Sequence, residues 1–260
     1  MRKNAGKVSE KDPVRTRMAA FCRRIVSFVR RGLRRCSEIA FRSKKITENR
    51  IGKTNSLDYE LWKDYGDVSM TVYRNGRFDC CWDRAGNVLF RTGCKFNSRL
   101  PHEKIGEIAV DYEADYEPQG TSFLSVYGWT RWPLAEYYIV DNWGGIRWTP
   151  GEHLGTVEAD GGVYDVYRVI MRRGASIDGT TDFPQFRSVR REKRSSGHVS
   201  VSEHFRAWEK LGIEMGGLYE VSLCVEGVNH SSGRASVTEN RVSIRKPQRQ
   251  KKSARKCAPE

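Results

Sequence analysis

The sequence predicts an all-β domain, a two-sheet β-sandwich of jelly-roll type with one α-helix, within a chain of 260 residues. Three observations predict it. From Asp58 onward Gly, aromatic and β-branched residues become frequent together. Short runs alternate with period two, as in Ile108-Ala109-Val110-Asp111-Tyr112. Turn signals such as Asn75-Gly76, Ala85-Gly86-Asn87 and Asp160-Gly161-Gly162 stand between the runs. A β-rich domain of this size buries enough apolar surface to need no disulfide or metal staple.

In chain order, residues 1–17 are polar and charged and read as disordered. From Met18 to Arg42 apolar residues recur at helical spacing (Phe21, Ile25, Phe28, Val29, Leu33, Cys36, Ile39) against a face rich in Arg. That stretch reads either as a membrane-surface or partner-binding helix or as a solvated extension. Its apolar runs are short and split by Arg23-Arg24, so no clean signal peptide is visible. Strands are expected at Ser122–Trp129, Ala135–Val140, Val163–Met171, Val199–Val201, Leu218–Val225 and Val237–Ile244. One helix is expected after Ser202 as N-cap, with Phe205 and Trp208 on its apolar face and Gly212 as its stop. Residues 245–260 form a basic tail expected to be disordered. Three segments follow: a basic N-terminal extension 1–57, a body 58–244, and the tail 245–260.

The net charge of +14 is unevenly placed. Residues 1–57 hold 17 Lys+Arg against 4 Asp+Glu, and residues 245–260 hold 7 against 1. The body holds 22 against 27. A mildly acidic body is not built to follow a phosphate backbone, so nucleic acid is excluded as its partner; the basic tails can meet anionic surfaces. The seven cysteines are odd in number and show no C-x-x-C or His pairing at zinc spacing. Buried or free thiols are therefore expected, with a disulfide from Cys80 or Cys81 to Cys94 left open.

The chemistry-bearing candidates are two carboxylates. On the strand Ala135–Val140, Glu136, Tyr138 and Val140 point to one face. A carboxylate among apolar neighbours is costly unless hydrogen-bonded or working. Tyr127 and Trp129 share a face on the preceding strand, and aromatic floors suit the C–H faces of pyranose rings. Glu226 ends the strand Leu218–Val225 ahead of Gly227. Taken singly, each glutamate also fits a solvent-facing strand charge.

The run from Tyr116 to Thr130, continued by Pro133-Leu134-Ala135-Glu136-Tyr137-Tyr138-Ile139-Val140-Asp141-Asn142-Trp143-Gly144, resembles the nucleophile region of glycoside hydrolase family 11, the xylanases. Asp58–Asp64, Gly86-Asn87, Ala159–Tyr167, Ser176-Ile177-Asp178-Gly179 with Gln185, Gly197–Gly212 and Val225-Glu226-Gly227 with Ser231-Ser232-Gly233 continue the likeness in order through 58–244. The resemblance implies a jelly roll bent around a long cleft, with a thumb hairpin over it. It also implies endo-acting hydrolysis of β-1,4-xylosidic bonds of xylan by a retaining route that needs no metal or cofactor. Glu136 is then the nucleophile and Glu226 the acid/base, with Trp62, Asn87, Tyr127, Trp129, Tyr138 and Gln185 binding substrate. An extracellular monomer is implied as well.

The sequence departs from that pattern at several points. Ala175 stands where the thumb has Pro, Phe186 where it has Tyr, and Arg187 where it has Trp. Val228-Asn229 replaces Tyr-Gln after the acid/base, His230 is an extra residue, and the Trp-Gly-x-x-Arg-Pro segment is stretched to Trp143–Pro150. Altered thumb and subsite contacts are expected. Two other readings compete: a catalytically silent xylan-binding module on the same fold, and a tail-driven binder of nucleic acid or membrane.

Overall fold

The period-two runs become fourteen strands among the described residues, which are 43–54, 57–149 and 151–246 of a computed structural model. In chain order they are β1 (Lys44–Ile46), β2 (Arg50–Lys53), β3 (Asp58–Lys63), β4 (Asp67–Val72), β5 (Phe78–Lys95), β6 (Glu107–Gln119) and β7 (Ser122–Arg131), followed by β8 (Ala135–Gly144), β9 (Glu152–Ala159), β10 (Gly162–Ser176), β11 (Gly179–Arg190), β12 (Ser196–Val199), β13 (Gly217–Leu218) and β14 (Glu220–Arg245). A one-turn helix α1 (His102–Ile105) precedes β6, and α2 (Val201–Lys210) follows β12. Strands β1 and β2 lie inside the stretch 1–57 and pair with β4 and β3, so the sheet starts ahead of Asp58. The helical reading of 18–42, and Cys22, Cys36 and Cys257, fall outside the described residues.

One hydrogen-bonded path runs β1-β4-β5-β14-β7-β8-β11-β10-β9 and folds into two layers. The fold-over is made by the long strands. The first half of β14 lies between β5 and β7. Beyond the bend it lies between β5 and β6 as far as Val237 and then pairs with β6 alone to Arg245. The bend sits at bulges between Val228 and Gly233, where Asn229 and His230 take φ of 56° and 59°. Glu226 is thus in mid-strand rather than at a strand end. Ser231-Ser232-Gly233 lie in the bend of one continuous strand.

Alternation along each strand feeds two apolar layers. Val88, Phe90, Tyr137, Ile139, Val221, Leu223 and Val225 enter the core between the sheets, which α2 closes with Phe205 and Trp208. Leu89, Phe123, Tyr127, Trp129, Tyr138, Val140 and Cys224 form a second layer on the opposite face. Gly128 permits the close crossing beneath that face. A Cβ there would meet the Glu220 carbonyl at 2.0 Å, where Tyr137 donates its hydroxyl at 2.6 Å. Helix α2 starts one residue before the expected cap. Ser200 is its N-cap residue, and the Asp160 carboxylate takes the Ser200 amide at 2.8 Å and hydroxyl at 2.7 Å. Ser202 instead accepts the Ile108 amide at 2.9 Å and ties the helix to β6. Cys80, Cys81, Cys94 and Cys224 are all free thiols.

A buried polar knot clamps β8 to its neighbours. Asp141 is 1% exposed and accepts the Tyr112 hydroxyl, the Tyr164 hydroxyl and Arg194 Nε, each at 2.7 Å. Removing it takes the buried anion from Arg194 and the carboxylate acceptor from two phenols. Asp141→Ala is expected to destabilise the fold by about 3 kcal/mol or more, seen as a lower urea midpoint at unchanged slope. A loss below about 1 kcal/mol would mean the knot is held by other contacts.

Candidate active site

The second apolar layer floors a cleft of ≈ 740 Å³. Strands β3, β5, β14, β7, β8 and β11 each turn alternate residues into it, and the thumb hairpin of β10 and β11 overhangs it. The hairpin turns at Ser176–Gly179, with Gly179 at φ 90° and the Ser176 hydroxyl donating to the Gly179 carbonyl at 2.6 Å. Arg131 donates to Ile177 O at 3.2 Å and to Asp178 Oδ1 at 2.5 Å, fastening the thumb tip to the end of β7.

Glu136 is 7% exposed and accepts from three side chains. Tyr127 donates to Oε1 at 2.8 Å, Tyr138 to Oε1 at 3.3 Å, and Gln185 Nε2 to Oε2 at 2.5 Å. Trp129 Nε1 donates to the Tyr127 hydroxyl at 2.5 Å, so Tyr127 must turn its own proton to Glu136. Burial raises the Glu136 carboxyl above the usual range, while these donors and the charge of Arg187 pull it back.

Glu226 is 4% exposed, and its Oε2 has no hydrogen-bond partner among the described residues. Burial, then the negative charge of Glu136, push its pKa up to about 8. The two carboxyls are therefore unlike. One is surrounded by donors, as an ionised acceptor requires. The other has one oxygen without a donor and is more comfortable holding a proton, which converts an orphan acceptor into a donor.

The other residues singled out from sequence also line the cleft. Trp62 on β3 is half-buried beside Leu89 and Asn87. Trp129 is buried edge-on to Phe183, so it supports Tyr127 more than it offers a face. Asn87 is the register partner of Val228, two residues past Glu226, and its buried Oδ1 has no partner among the described residues.

Sequence reasoning missed a set of buried charges. Arg91, on β5, donates to Glu60 at 2.5 Å, has Nε 3.4 Å from Glu220 Oε1, and lies over the Tyr127 ring at 4.8 Å. Burial opposes its charge, but Glu220, Tyr127 and Glu60 hold it well above its ordinary value. Glu220 has the same strand parity as Glu226, which was a usable signal; the pairing of β5 with β14 was not visible. Arg187, read only as a thumb departure, enters the cleft floor two residues after Gln185. In the stretched segment Arg147 turns away to Asp165 at 2.7 Å, and Trp148 enters the cleft, stacked on Phe123 at 4.3 Å.

The chain resembles known proteins over this whole unit. Residues 54–238 match the profile described as Glycosyl hydrolases family 11. The chain is 50% identical over 202 residues to "Endo-1,4-beta-xylanase A" of Bacillus pumilus, covering 78% of this chain and 88% of that protein. It is 49% identical over 199 residues to "Endo-1,4-beta-xylanase A" of Thermoclostridium stercorarium, covering 76% of this chain but only 30% of that longer relative. The solved structure of the family 11 xylanase from Neocallimastix patriciarum superposes with a TM-score of 0.72 at 35% identity, covering 78% of this chain and 100% of that one.

Proposed function

This chain belongs to Glycosyl hydrolases family 11, and on that premise we propose that it hydrolyses internal β-1,4-xylosidic bonds of xylan with retention of configuration. The asymmetry of the two buried carboxyls carries the reading. Glu136, whose ionised form accepts from three donors, attacks the anomeric carbon and forms a covalent glycosyl-enzyme. Glu226, protonated at neutral pH, gives its proton to the departing glycosidic oxygen. Glu136 is then esterified and uncharged, which lowers the proton affinity of Glu226 and fits it to take a proton from the incoming water. The hydroxyl of that water attacks the anomeric carbon, frees Glu136 and restores the β-configuration.

Tyr127, Tyr138 and Gln185 position Glu136 and meet hydroxyls of the sugar at the cleavage point. Trp62 is assigned to offer a ring face to a more distant xylose, and Asn87 to contact Glu226. We assign the sheet body as a monomeric catalytic unit acting outside the cell, where the polymer is, with basic segments on either side that can meet anionic surfaces.

The test of substrate class compares reducing ends released from xylan and from carboxymethyl cellulose. Release from xylan alone, with viscosity falling early, is the expected result. No release by folded protein would leave a xylan-binding module on the same fold. The pH profile of kcat/KM follows from the same pair. Glu226 must be protonated, so activity is lost as pH rises through about 8. Glu136 must be ionised, so activity is lost as pH falls through its own pKa. A near-neutral optimum is expected; one below about pH 4, the unperturbed carboxyl range, would contradict the assignment.

A further inference from the structure

Arg187 is a buried cation without a paired anion. It is 1% exposed, and its Nε and Nη1 have no hydrogen-bond partner among the described residues. Its Nη2 donates to Gln185 Oε1, the same amide whose Nε2 donates to Glu136. Its guanidinium lies over the ring of Trp148, which is stacked in turn on Phe123. The groups around it come from several strands. Its register partners are Tyr138 on β8 and Tyr167 on β10. Glu136 and Glu226 both feel its charge, and Arg91 acts on Glu226 from β5. No carboxylate of the described residues stands within ion-pair distance of it.

Two physical consequences follow. A glutamine amide has two nearly isosteric orientations, and a carboxylate neighbour tolerates only the one presenting NH2. A guanidinium has donors and no acceptor, so it accepts only the amide oxygen. With Arg187 on one side and Glu136 on the other, Gln185 has a single satisfactory orientation. The guanidinium also puts a full positive charge in a low-dielectric floor shared with both carboxyls, where it is felt far more strongly than in water.

We propose that Arg187 is a positioning residue for the reaction, locking the Gln185 amide toward Glu136 and setting the working pH range of the carboxyl pair through its charge. The proposal rests on Glu136 and Glu226 being the catalytic pair. The sign is fixed by the charge. Removing a neighbouring cation makes each carboxyl hold its proton more tightly. The acid limb, set by ionisation of Glu136, and the alkaline limb, set by deprotonation of Glu226, then both move upward. Burial, opposed by Tyr138 and the two glutamates, already brings the guanidinium down to about 10, a sign that its charge is held in place at some cost.

Three variants separate the two parts of the role, each read as a full kcat/KM–pH profile on xylan with unfolding midpoints alongside. Arg187→Lys keeps the charge and should leave both limbs within a few tenths of a pH unit of the parent. Arg187→Gln keeps an amide donor without the charge; both limbs should rise by about one pH unit, with kcat at the new optimum falling less than in the Met variant. Arg187→Met fills similar space with neither charge nor donor; the limbs should rise equally and kcat at the optimum should also fall. Limbs that stay put in folded Gln or Met variants, or that move downward, would overturn the proposal and leave Arg187 as packing for Trp148. That outcome is distinct from failure of the catalytic pair, which would appear as undiminished hydrolysis in Glu136→Gln whatever Arg187 does.

Discussion

Glu136→Gln is expected to lower kcat on xylan by about 10,000-fold or more, as loss of a nucleophile does elsewhere. The change is nearly isosteric, so the cleft keeps its shape. The new amide can still accept from Tyr127 and Tyr138, whose hydroxyls now bond Oε1. It cannot attack the anomeric carbon. Its NH2 would also oppose the NH2 of Gln185, whose amide oxygen accepts from Arg187. Single-turnover assays should show no glycosyl-enzyme by mass spectrometry. More than a few per cent of the parent rate in this variant, purified free of parent enzyme, would remove Glu136 from the nucleophile role.

The second large effect belongs to Glu226→Ala. Loss of the proton donor should lower kcat on xylan by about 100- to 10,000-fold. An aryl xyloside with a strongly acidic phenol needs no proton to leave, so its first step should be nearly spared. The glycosyl-enzyme then accumulates, because no base activates water. Azide needs no base, and adding it should restore turnover and give the β-xylosyl azide. The β-product would establish two displacements, and hence retention, by a route independent of Glu136 substitution. An α-azide, or equal losses on xylan and on the activated aryl xyloside, would contradict the assignment of Glu226. The buried, partner-poor setting of this carboxyl is what makes the expectation sharp.

Much of this site was legible because strands have a period of two. Glu136 and Tyr138 were placed on one face, as were Tyr127 and Trp129, and the structure keeps both pairs on the cleft side. The helix was legible from Phe205 and Trp208, although its start was not. Ser200 is recruited by Asp160, forty residues away, and no local pattern records that contact. Strand ends were harder. Asn229, His230 and Gly233 have the composition of a turn, yet in β14 they form bulges that keep both flanks paired. The two short strands before Asp58 were hidden because only Ile46 among β1 residues is buried, so Lys-rich edges look like linker. Cross-strand chemistry was the least legible. Arg91 meets Glu60 and Glu220 through the registers of β3, β5 and β14, which no single segment encodes. Arg187 is the instructive case, since period two from Gln185 places it in the cleft, and only its strangeness within the thumb drew notice.

Strand β14 has a further consequence, for the order in which the protein is made. It is central to the sheet path, with β5 and β7 beside its first half and β6 beside its second. It is also the last in chain order among the described strands. Until about residue 245 has left the ribosome, neither layer has its middle, and β5, β6 and β7 each have one edge without its partner. Pairings such as Phe78 with Val237 join residues far apart in the chain, the kind of contact that makes folding slow and leaves sticky edges in the meantime. Glu226 therefore arrives on the strand that joins the two layers, so a chain that stops short of β14 has neither a finished sheet nor that carboxyl.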